Sequence, residues 1–314
     1  MTEVQTQDVL ADVLSNMQMA TLVYGRMELG APWRLQFPDK EAAHLHVVGR
    51  GSARLLVKGQ PEVQLQAGDV ALVPHRGQHV LSDGKGAPLQ RLECGSLEHT
   101  RSPMVLRAGG HGAQTTMVAA AFIFSTARRS PLFEHLPPLV HVSAHGAGAP
   151  PHLAPLVQMM VAETGAPNAG SSVMVKRLAD LLLVQVLRAL MANTSCQQHG
   201  MRGLTDPHVG RALSLIHERW AHPWTVESLA STVGLSRSGF AARFSQLVGE
   251  PPLEYVARWR MMKAAELLRH GSFSVGEVAD RVGYRSEPAF NRAFKRWEGR
   301  SPGAYRKLHA ARPR

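Results

Sequence analysis

The chain has 314 residues, of which 44% are hydrophobic and 19% are charged, and this composition excludes a disordered chain. Its length predicts two domains rather than one. Lys and Arg exceed Asp and Glu by 35 to 24, and the excess is concentrated in residues 205–314, which hold 18 Lys and Arg against 10 Asp and Glu. A basic surface for an acidic partner is therefore expected in the last third.

The cysteines and the apolar runs indicate the compartment. Two cysteines, Cys94 and Cys196, exclude a disulfide framework and favour a reducing environment. The N-terminus lacks the basic and apolar regions of a signal peptide. The longest apolar stretch, 178–191, contains Asp180 and Arg188, so it is not predicted to span a membrane. We expect a cytoplasmic protein without a membrane partner.

Short β-prone runs with Gly and Pro between them follow one another from residue 22 to residue 80. This spacing predicts an all-β barrel or sandwich. The runs are 45–48, 53–57, 63–65 and 70–74, and 117–124 and 139–142 continue the pattern. The intervening segment 107–113 contains three glycines and is predicted to be a mobile loop.

Three histidines of this β region are candidates for a binding site. His44 and His46 are two residues apart on a predicted strand, so both side chains point to the same side, and His79 can join them. One interpretation is a divalent metal such as zinc on His44, His46 and His79. The other is a set of interior polar groups that hydrogen-bond one another or line a pocket for a small organic effector, with Arg50 at its border. No nucleophile elbow, phosphate-binding glycine loop or zincin helix is found, so an enzyme is not expected.

Two motifs of the β region resemble those of the cupin barrel. The segment from Gly68-Asp69 to His79 resembles the second cupin motif, and His44-Leu45-His46 resembles the paired histidines of the first. Cupins normally place a Glu four or five residues after the second His, and Val47-Val48-Gly49-Arg50-Gly51 stands there instead. The resemblance implies a cupin-like sensor domain over residues 1–150 whose metal site lacks its carboxylate.

Helical patterns follow in residues 152–163 and 171–192. The stretch 178–191 carries leucine on more than one face, which is too apolar for a lone surface helix. It is predicted to form a dimer contact, and the alternative is packing on its own barrel. Residues 193–203 are polar and are predicted to be a linker. Residues 151–204 are thus assigned as a helical dimerisation segment and linker.

The last third contains a repeated helix-turn-helix pattern. Asp206-Pro207 starts a helix that runs to about Trp220, and residues 225–244 read as helix, tight turn at Gly234, and helix. The pattern recurs 49 residues later, with Gly283 at the turn, and a long helix over 253–269 joins the two units. The matched positions, at offsets of 49 and then 50, are Val226, Ala230, Val233, Gly234, Phe240, Phe244, Gly249, Pro252 and Tyr255 with Val275, Ala279, Val282, Gly283, Phe290, Phe294, Gly299, Pro302 and Tyr305.

Residues 205–308 resemble the DNA-binding domain of AraC/XylS-type bacterial transcription regulators. The resemblance is carried by Gly283-Tyr284, by Phe290-Asn291-Arg292-Ala293-Phe294-Lys295 and by Ser301-Pro302. It implies two recognition helices, 236–247 and 286–297, that enter successive major grooves of the duplex.

The residues of these helices fall into two groups by motif position. Those expected at base edges are Ser238, Ala241, Ala242, Pro288, Ala289, Asn291 and Arg292. Those expected at phosphates are Arg237, Arg243, Arg285, Lys295, Arg296 and Arg300. Ser236, Ser286 and Glu287 complete the candidate DNA-binding set at the helix starts. The phenylalanines are expected in the core.

The predicted fold is α+β, with an N-terminal cupin-like β-barrel and its dimerisation helices, followed by an all-α domain of two helix-turn-helix units over residues 205–314. The function expected from the resemblance is a sequence-specific, effector-responsive transcription regulator. Its expected partners are double-stranded DNA, RNA polymerase, a small-molecule effector and a second copy of the chain. The alternative is a metal-dependent cupin enzyme with a DNA-binding tail.

Overall fold

The computed structural model describes residues 8–16, 19–38, 42–75, 78–92, 104–124, 136–146, 148–192, 201–271 and 273–310. Cys94, Cys196 and most of the predicted linker lie outside these residues. The chain divides into two compact units. The β unit comprises Met19–Ser125 and Leu136–Cys196, and the helical unit comprises Gln197–Arg314 together with Met1–Gln18 and Thr126–His135.

The β unit contains two sheets. The strands are β1 (Met19–Gly30), β2 (Arg34–Phe37), β3 (Ala43–Arg50), β4 (Ser52–Val57), β5 (Val63–Gln66), β6 (Val70–Val73), β7 (His79–Ser82), β8 (Gln90–Arg91), β9 (Met104–Gly109), β10 (Gln114–Phe124) and β11 (Val140–Val142). The described strands run in the order β11-β6-β3-β10-β1-β9 in one sheet and β5-β4-β7-β2-β8 in the other. Strand β4 alternates buried and exposed residues, as expected for a strand with one face on the core.

The two sheets share one apolar core. Leu29 and Met117 of the first sheet join Leu35, Leu55 and Leu81 of the second in the same buried cluster. Non-directional burial of these side chains holds the layers together. Together with the helical unit, this arrangement confirms the α+β fold in two parts, while full closure into a barrel stays a prediction.

Strand β9 replaces part of the predicted mobile loop. Residues 104–109 pair in parallel with Gly25–Gly30 of β1, and the Arg107 guanidinium lies 3.0 Å from the Glu28 carboxylate. The glycine-rich composition of 107–113 suggested a loop because its pairing partner is far away in the sequence. The prediction of a mobile loop is therefore wrong for residues 107–109.

The Gly-Asp turn before β6 is organised by a buried carboxylate. Asp69 accepts hydrogen bonds from the backbone amides of Gln66 and Ala144, from the Ser143 hydroxyl, and from His141 Nε2 at 3.0 Å. Burial alone would raise the pKa of Asp69, but these hydrogen bonds outweigh burial and hold the pKa below its usual value. The turn thus ties the start of β6 to the loop after β11.

Two helices, α2 (Leu153–Gly165) and α3 (Ser171–Ala192), pack on the sheets and on each other. Helix α3 buries a ladder of Val175, Leu178, Leu182 and Val186, and Asp180 accepts a 2.5 Å hydrogen bond from Thr21 of β1. This explains one apolar face of the leucine-rich stretch by packing within the β unit.

The helical unit follows the repeat closely. Its elements are α4 (Met201–Thr205), α5 (Pro207–Glu218), α6 (Val226–Thr232), α7 (Arg237–Val248), α8 (Pro252–His270), α9 (Val275–Arg281), α10 (Glu287–Glu298) and α11 (Pro302–Ala310). Helices α6 and α9 each start with a capping box, at Thr225 and Ser274, which satisfies the first free amides. Each recognition helix, α7 and α10, ends at a left-handed glycine, Gly249 or Gly299.

Helix α1 (Val9–Asn16) belongs to the helical unit, although the sequence assigned residues 1–150 to the β domain. It contacts α5, and Val9, Leu10 and Val13 are buried. The remaining predicted domain boundaries stay predictions. Within the described residues, no helix is long and apolar enough to cross a membrane.

Candidate nucleic-acid interface and histidine cluster

The recognition helices α7 and α10 are anchored by phenylalanine pairs. Phe240, Phe244, Phe290 and Phe294 are all 0% exposed, which confirms that they belong to the core. In each pair the residues are four apart, so one face of the helix is held against the unit. The opposite face of each helix is directed to solvent.

The candidate DNA-binding residues lie on these solvent faces. None of the fifteen is buried. The exposed members are Ser236, Arg237, Ser238, Ala242, Arg243, Arg285, Ser286, Glu287, Pro288, Arg292, Lys295 and Arg296, and the half-buried members are Ala241, Ala289 and Asn291. The Ser236 hydroxyl accepts a hydrogen bond from the Gly239 amide and so also caps α7.

The two recognition faces differ in charge. Around α10 the exposed cations are Arg285, Arg292, Lys295 and Arg296, whereas α7 carries Arg237 and Arg243. Within the described part of the chain, the side chains of Arg285, Arg292 and Lys295 form no hydrogen bond or ion pair. Their charges therefore remain available to an anionic partner such as a phosphate.

Arg243 has a different environment from the one expected at a phosphate contact. Its Nε and Nη2 both donate to Asp206 Oδ2, at 3.0 and 2.5 Å. Asp206 also caps α5 by accepting from the His208 and Val209 amides. Burial alone would raise the pKa of Asp206, but Arg243 and the two amides outweigh it and lower the pKa. In this structure Arg243 therefore joins α7 to the start of α5.

The three histidines predicted from the sequence do meet inside the β unit. His44, His46 and His79 are at most 1% exposed, and the Nε2 atoms of His46 and His79 share a 2.7 Å hydrogen bond. The Phe37 ring stacks on the His79 ring, with centroids 4.9 Å apart. Burial, and then the neighbouring His79 and His44, hold the pKa of His46 well below its usual value. Burial thus favours the neutral form of His46 in an aromatic interior.

This arrangement does not fit a metal ion. Two imidazoles that bind one zinc each need Zn–N distances of about 2.0–2.1 Å in tetrahedral geometry, which separates the two nitrogens by more than a hydrogen bond does. Among the described residues, no group of three His, Cys, Asp or Glu could hold a metal. The contact between His46 and His79 agrees instead with the interpretation in which these histidines hydrogen-bond one another.

Arg50 lies apart from the buried histidines. Strand β3 has an extra residue, Gly49, where its pairing with β10 shifts between Val48 and Arg50. Arg50 is exposed at the end of this strand. The structure therefore places Arg50 on the surface and not beside the predicted pocket.

A second histidine site, in the helical unit, was not predicted from the sequence. His217 is buried, its Nε2 lies 2.6 Å from the Tyr255 hydroxyl, and its ring stacks on Trp259 at 3.6 Å. Leu213 and Ile216 are buried on the same helix α5, and His217 adjoins them. A buried histidine between aromatic partners leaves no other sequence signal.

Comparison with known proteins agrees with both units. A cupin family model matches residues 8–192, and a helix-turn-helix domain model matches residues 229–308. A putative AraC-like transcription regulator of Streptomyces lividans is 35% identical over 303 residues, covering 96% of this chain and 98% of the relative. The HTH-type transcriptional regulator AlkR of Acinetobacter baylyi is 27% identical and covers 95% of this chain and 99% of its own.

Solved structures include the DNA-binding domain of AdpA in complex with a target DNA. It is 37% identical to this chain, covers 34% of it and 95% of its own length, and has a TM-score of 0.33. The full-length relatives are named as transcription regulators and not as enzymes. The chain therefore belongs to the AraC-like transcription regulators, with a cupin-type N-terminal domain and an AraC-type helix-turn-helix DNA-binding domain.

Proposed function

We propose that this regulator reads two successive major grooves with α7 and α10 and adjusts this binding to a small molecule held in the β unit. The observation that carries the proposal is the division of each recognition helix into a phenylalanine face at 0% exposure and a polar face open to solvent. A helix whose one face is held in the protein core can insert its opposite face into the major groove.

The two helices are assigned different parts of the readout. On α10, Arg292 is suited to a bidentate contact with a guanine edge, and Asn291, Pro288 and Ala289 lie beside it. On α7, Ser238, Ala241 and Ala242 are small and suit close approach and methyl contacts. The proposed phosphate contacts are Arg237, Arg285, Lys295, Arg296 and Arg300. Arg243 is reassigned to the Asp206 ion pair.

The direct test is selection of genomic fragments by the full-length protein, followed by titration of a selected duplex and a scrambled one at two salt concentrations. We expect the selected duplex to bind at least about a thousandfold more tightly than the scrambled duplex at physiological salt. Equal affinities would show a sequence-indifferent DNA binder instead. Transcription with purified RNA polymerase then shows whether the bound protein activates or represses. A cytoplasmic location follows from the DNA partner.

The proposed effector site is the interior around His44, His46, His79 and Phe37. This cluster combines imidazole nitrogens with stacked rings, which suits a small organic molecule with an apolar body and one hydrogen-bonding group. A panel of such molecules is screened for a rise in the unfolding temperature. A true effector raises the unfolding temperature of the parent but not that of His46→Phe. The same molecule also changes the affinity of the parent for the selected duplex.

A homodimer through α3 is the remaining part of the proposal. Val173 is 61% exposed, and Met174 and Leu181 are also exposed on the same helix. Apolar side chains grouped in this way mark an interaction surface. We expect Leu181→Glu to convert a dimer into a monomer in sedimentation, whereas Gln64→Glu, the same charge change on β5, leaves the dimer intact. A parent that sediments as a monomer would refute the dimer.

A further inference from the structure

Arg260 lies on α8, the helix that joins the two helix-turn-helix units. Its Nε donates to the carbonyl oxygen of Trp220 and its Nη2 donates to that of His222, both at 2.7 Å. Its Nη1 lies 3.5 Å from the carbonyl oxygen of Gly283, the turn residue of the second unit. One guanidinium therefore contacts the loop before α6 and the turn before α10.

The same two segments touch directly. A Cβ atom placed on Gly283 would lie 2.5 Å from the Ala221 carbonyl oxygen, so only glycine permits this approach. Lys263, one turn after Arg260, places its Nζ 4.8 Å from the Trp220 ring. The loop 220–222 is thus held by α8 on one side and by the second turn on the other.

The repeat shows that this contact is not required by the helix-turn-helix itself. Gly234 occupies the equivalent turn of the first unit with a φ of 74°, close to the 78° of Gly283. A Cβ on Gly234 would meet nothing within 4 Å. Both turns need a left-handed residue, but only the second is packed against the other unit.

We propose that Arg260 is a positioning residue that sets the distance and rotation between the two recognition helices, and thereby the spacing of the two DNA boxes that the protein accepts. Helix α8 connects the units and lies in the core of each, through Tyr255 and Trp259 in the first and Leu268 in the second. The fork of Arg260 adds a second link, between the loop 220–222 and the turn at Gly283, with donors that are fixed in one plane. One inserted base pair moves a box by about 3.4 Å and rotates it by about 34°, so a small pivot changes the accepted spacer.

The inference rests on the proposed two-groove readout, and the test separates the two. The full-length parent first selects duplexes from a random library, which defines the two boxes and their spacer. If no two-box consensus emerges, the proposed function fails, and the inference with it. If one emerges, the parent and its variants are titrated with the selected duplex, with spacers one base pair shorter or longer, and with a duplex carrying the second box alone.

The informative variants are Arg260→Ala, Arg260→Lys and Gly283→Ala, and Gly234→Ala is the matched control. We expect the parent and Gly234→Ala to lose about tenfold or more in affinity when the spacer changes by one base pair. The three informative variants are expected to bind the single box with the same affinity as the parent. When the spacer changes by one base pair, they lose less than about threefold in affinity. Arg260→Lys keeps the charge, so its effect cannot come from weaker attraction to phosphate.

A purely structural role makes a different prediction. If Arg260 only stabilised the fold, each substitution would lower the unfolding temperature. It would also lower the affinity for the single box and for every spacer by the same factor. Folding of each variant is checked by its unfolding temperature, and Arg260→Lys and Gly283→Ala provide the result if Arg260→Ala does not fold. Retention of the parent's spacer preference by the folded variants would overturn the proposal.

Discussion

Arg292 and Lys295 lie nearly one turn apart on α10, and both are exposed. A guanidinium at a base edge discriminates between bases, whereas an ammonium at a phosphate does not. We expect Arg292→Ala to cost about 1–3 kcal/mol at one base position and to relax specificity there. Lys295→Ala is expected to weaken all duplexes alike and to lower the slope of log K against log salt by about one.

Both expectations are measured by fluorescence titration against duplexes with single base changes. Arg243→Ala is the matched control, because its charge is already paired with Asp206. It should lower stability without changing base preference. An Arg292→Ala protein that binds its operator as well as the parent would show that Arg292 does not read a base.

His217 gives the helical unit a pH dependence. Burial, with Lys263 adding to it, lowers the pKa of His217 to about 3, whereas an unfolded histidine titrates near 6.5. Between about pH 3 and pH 6.5, the His217 imidazole is therefore protonated in the unfolded chain but not in the folded protein. The contribution of His217 is therefore full above about pH 6.5 and declines by up to about 1.4 kcal/mol per unit as the pH falls toward 3.

The measurement is urea unfolding of the parent and of His217→Gln from pH 7.5 to 5, where carboxylates contribute little. The glutamine can still bond the Tyr255 hydroxyl but has no proton to gain. We expect the difference in unfolding free energy between the two proteins to shrink as the pH falls. A constant difference would show that the pKa of His217 is the same in the folded and the unfolded protein.

At the scale of elements, α1 makes a testable contribution to the helical unit. Val13 is 2% exposed in a helix that packs on α5. We expect Val13→Ala to lower the unfolding free energy of the helical unit by about 1–3 kcal/mol, because it removes buried methyl groups. Val105→Ala on β9, where the side chain is 43% exposed, is the control and should change it little. Equal effects would place α1 outside the folded unit.

The elements that the sequence predicted best are those with local signals. The duplicated turns at Gly234 and Gly283 and the cap residue Ser236 lie within a few residues of the structure they specify. Helices α7 and α10 consequently begin within one residue of the prediction. Strand β9 and helix α1 were not predicted, because their partners, β1 and α5, are remote in sequence.

At the scale of the whole molecule, the candidate site was predicted as a set of positions but not as a set of contacts. The sequence brought His44, His46 and His79 together correctly, since strand periodicity places such residues on one face. A hydrogen bond among these histidines was one of the alternatives left open, and His46 and His79 form it. The sequence could not show the bulge that turns Arg50 outward or the carboxylate that pairs with Arg243. Each of these depends on side-chain geometry between distant segments.

The histidine geometry also predicts how the whole protein responds to loss of metal. Because His46 and His79 bond each other, we expect dialysis against a chelator to leave the unfolding temperature and the DNA affinity unchanged. Metal analysis of protein purified without a histidine tag is the accompanying control. One equivalent of metal, whose removal lowers the unfolding temperature, would contradict this expectation.

The ion pair of Arg243 is one case of a wider pattern in the helical unit. Several arginines there donate to groups of the protein itself: Arg243 to Asp206, Arg258 to Glu250, Arg260 to two carbonyls, Arg269 to Tyr305 and Arg306 to Phe273. Each phosphate that a protein neutralises releases about 0.9 condensed counterion from duplex DNA. Cations already engaged by the fold add little to this release, so a salt titration will count fewer ions than the 18 Lys and Arg of residues 205–314.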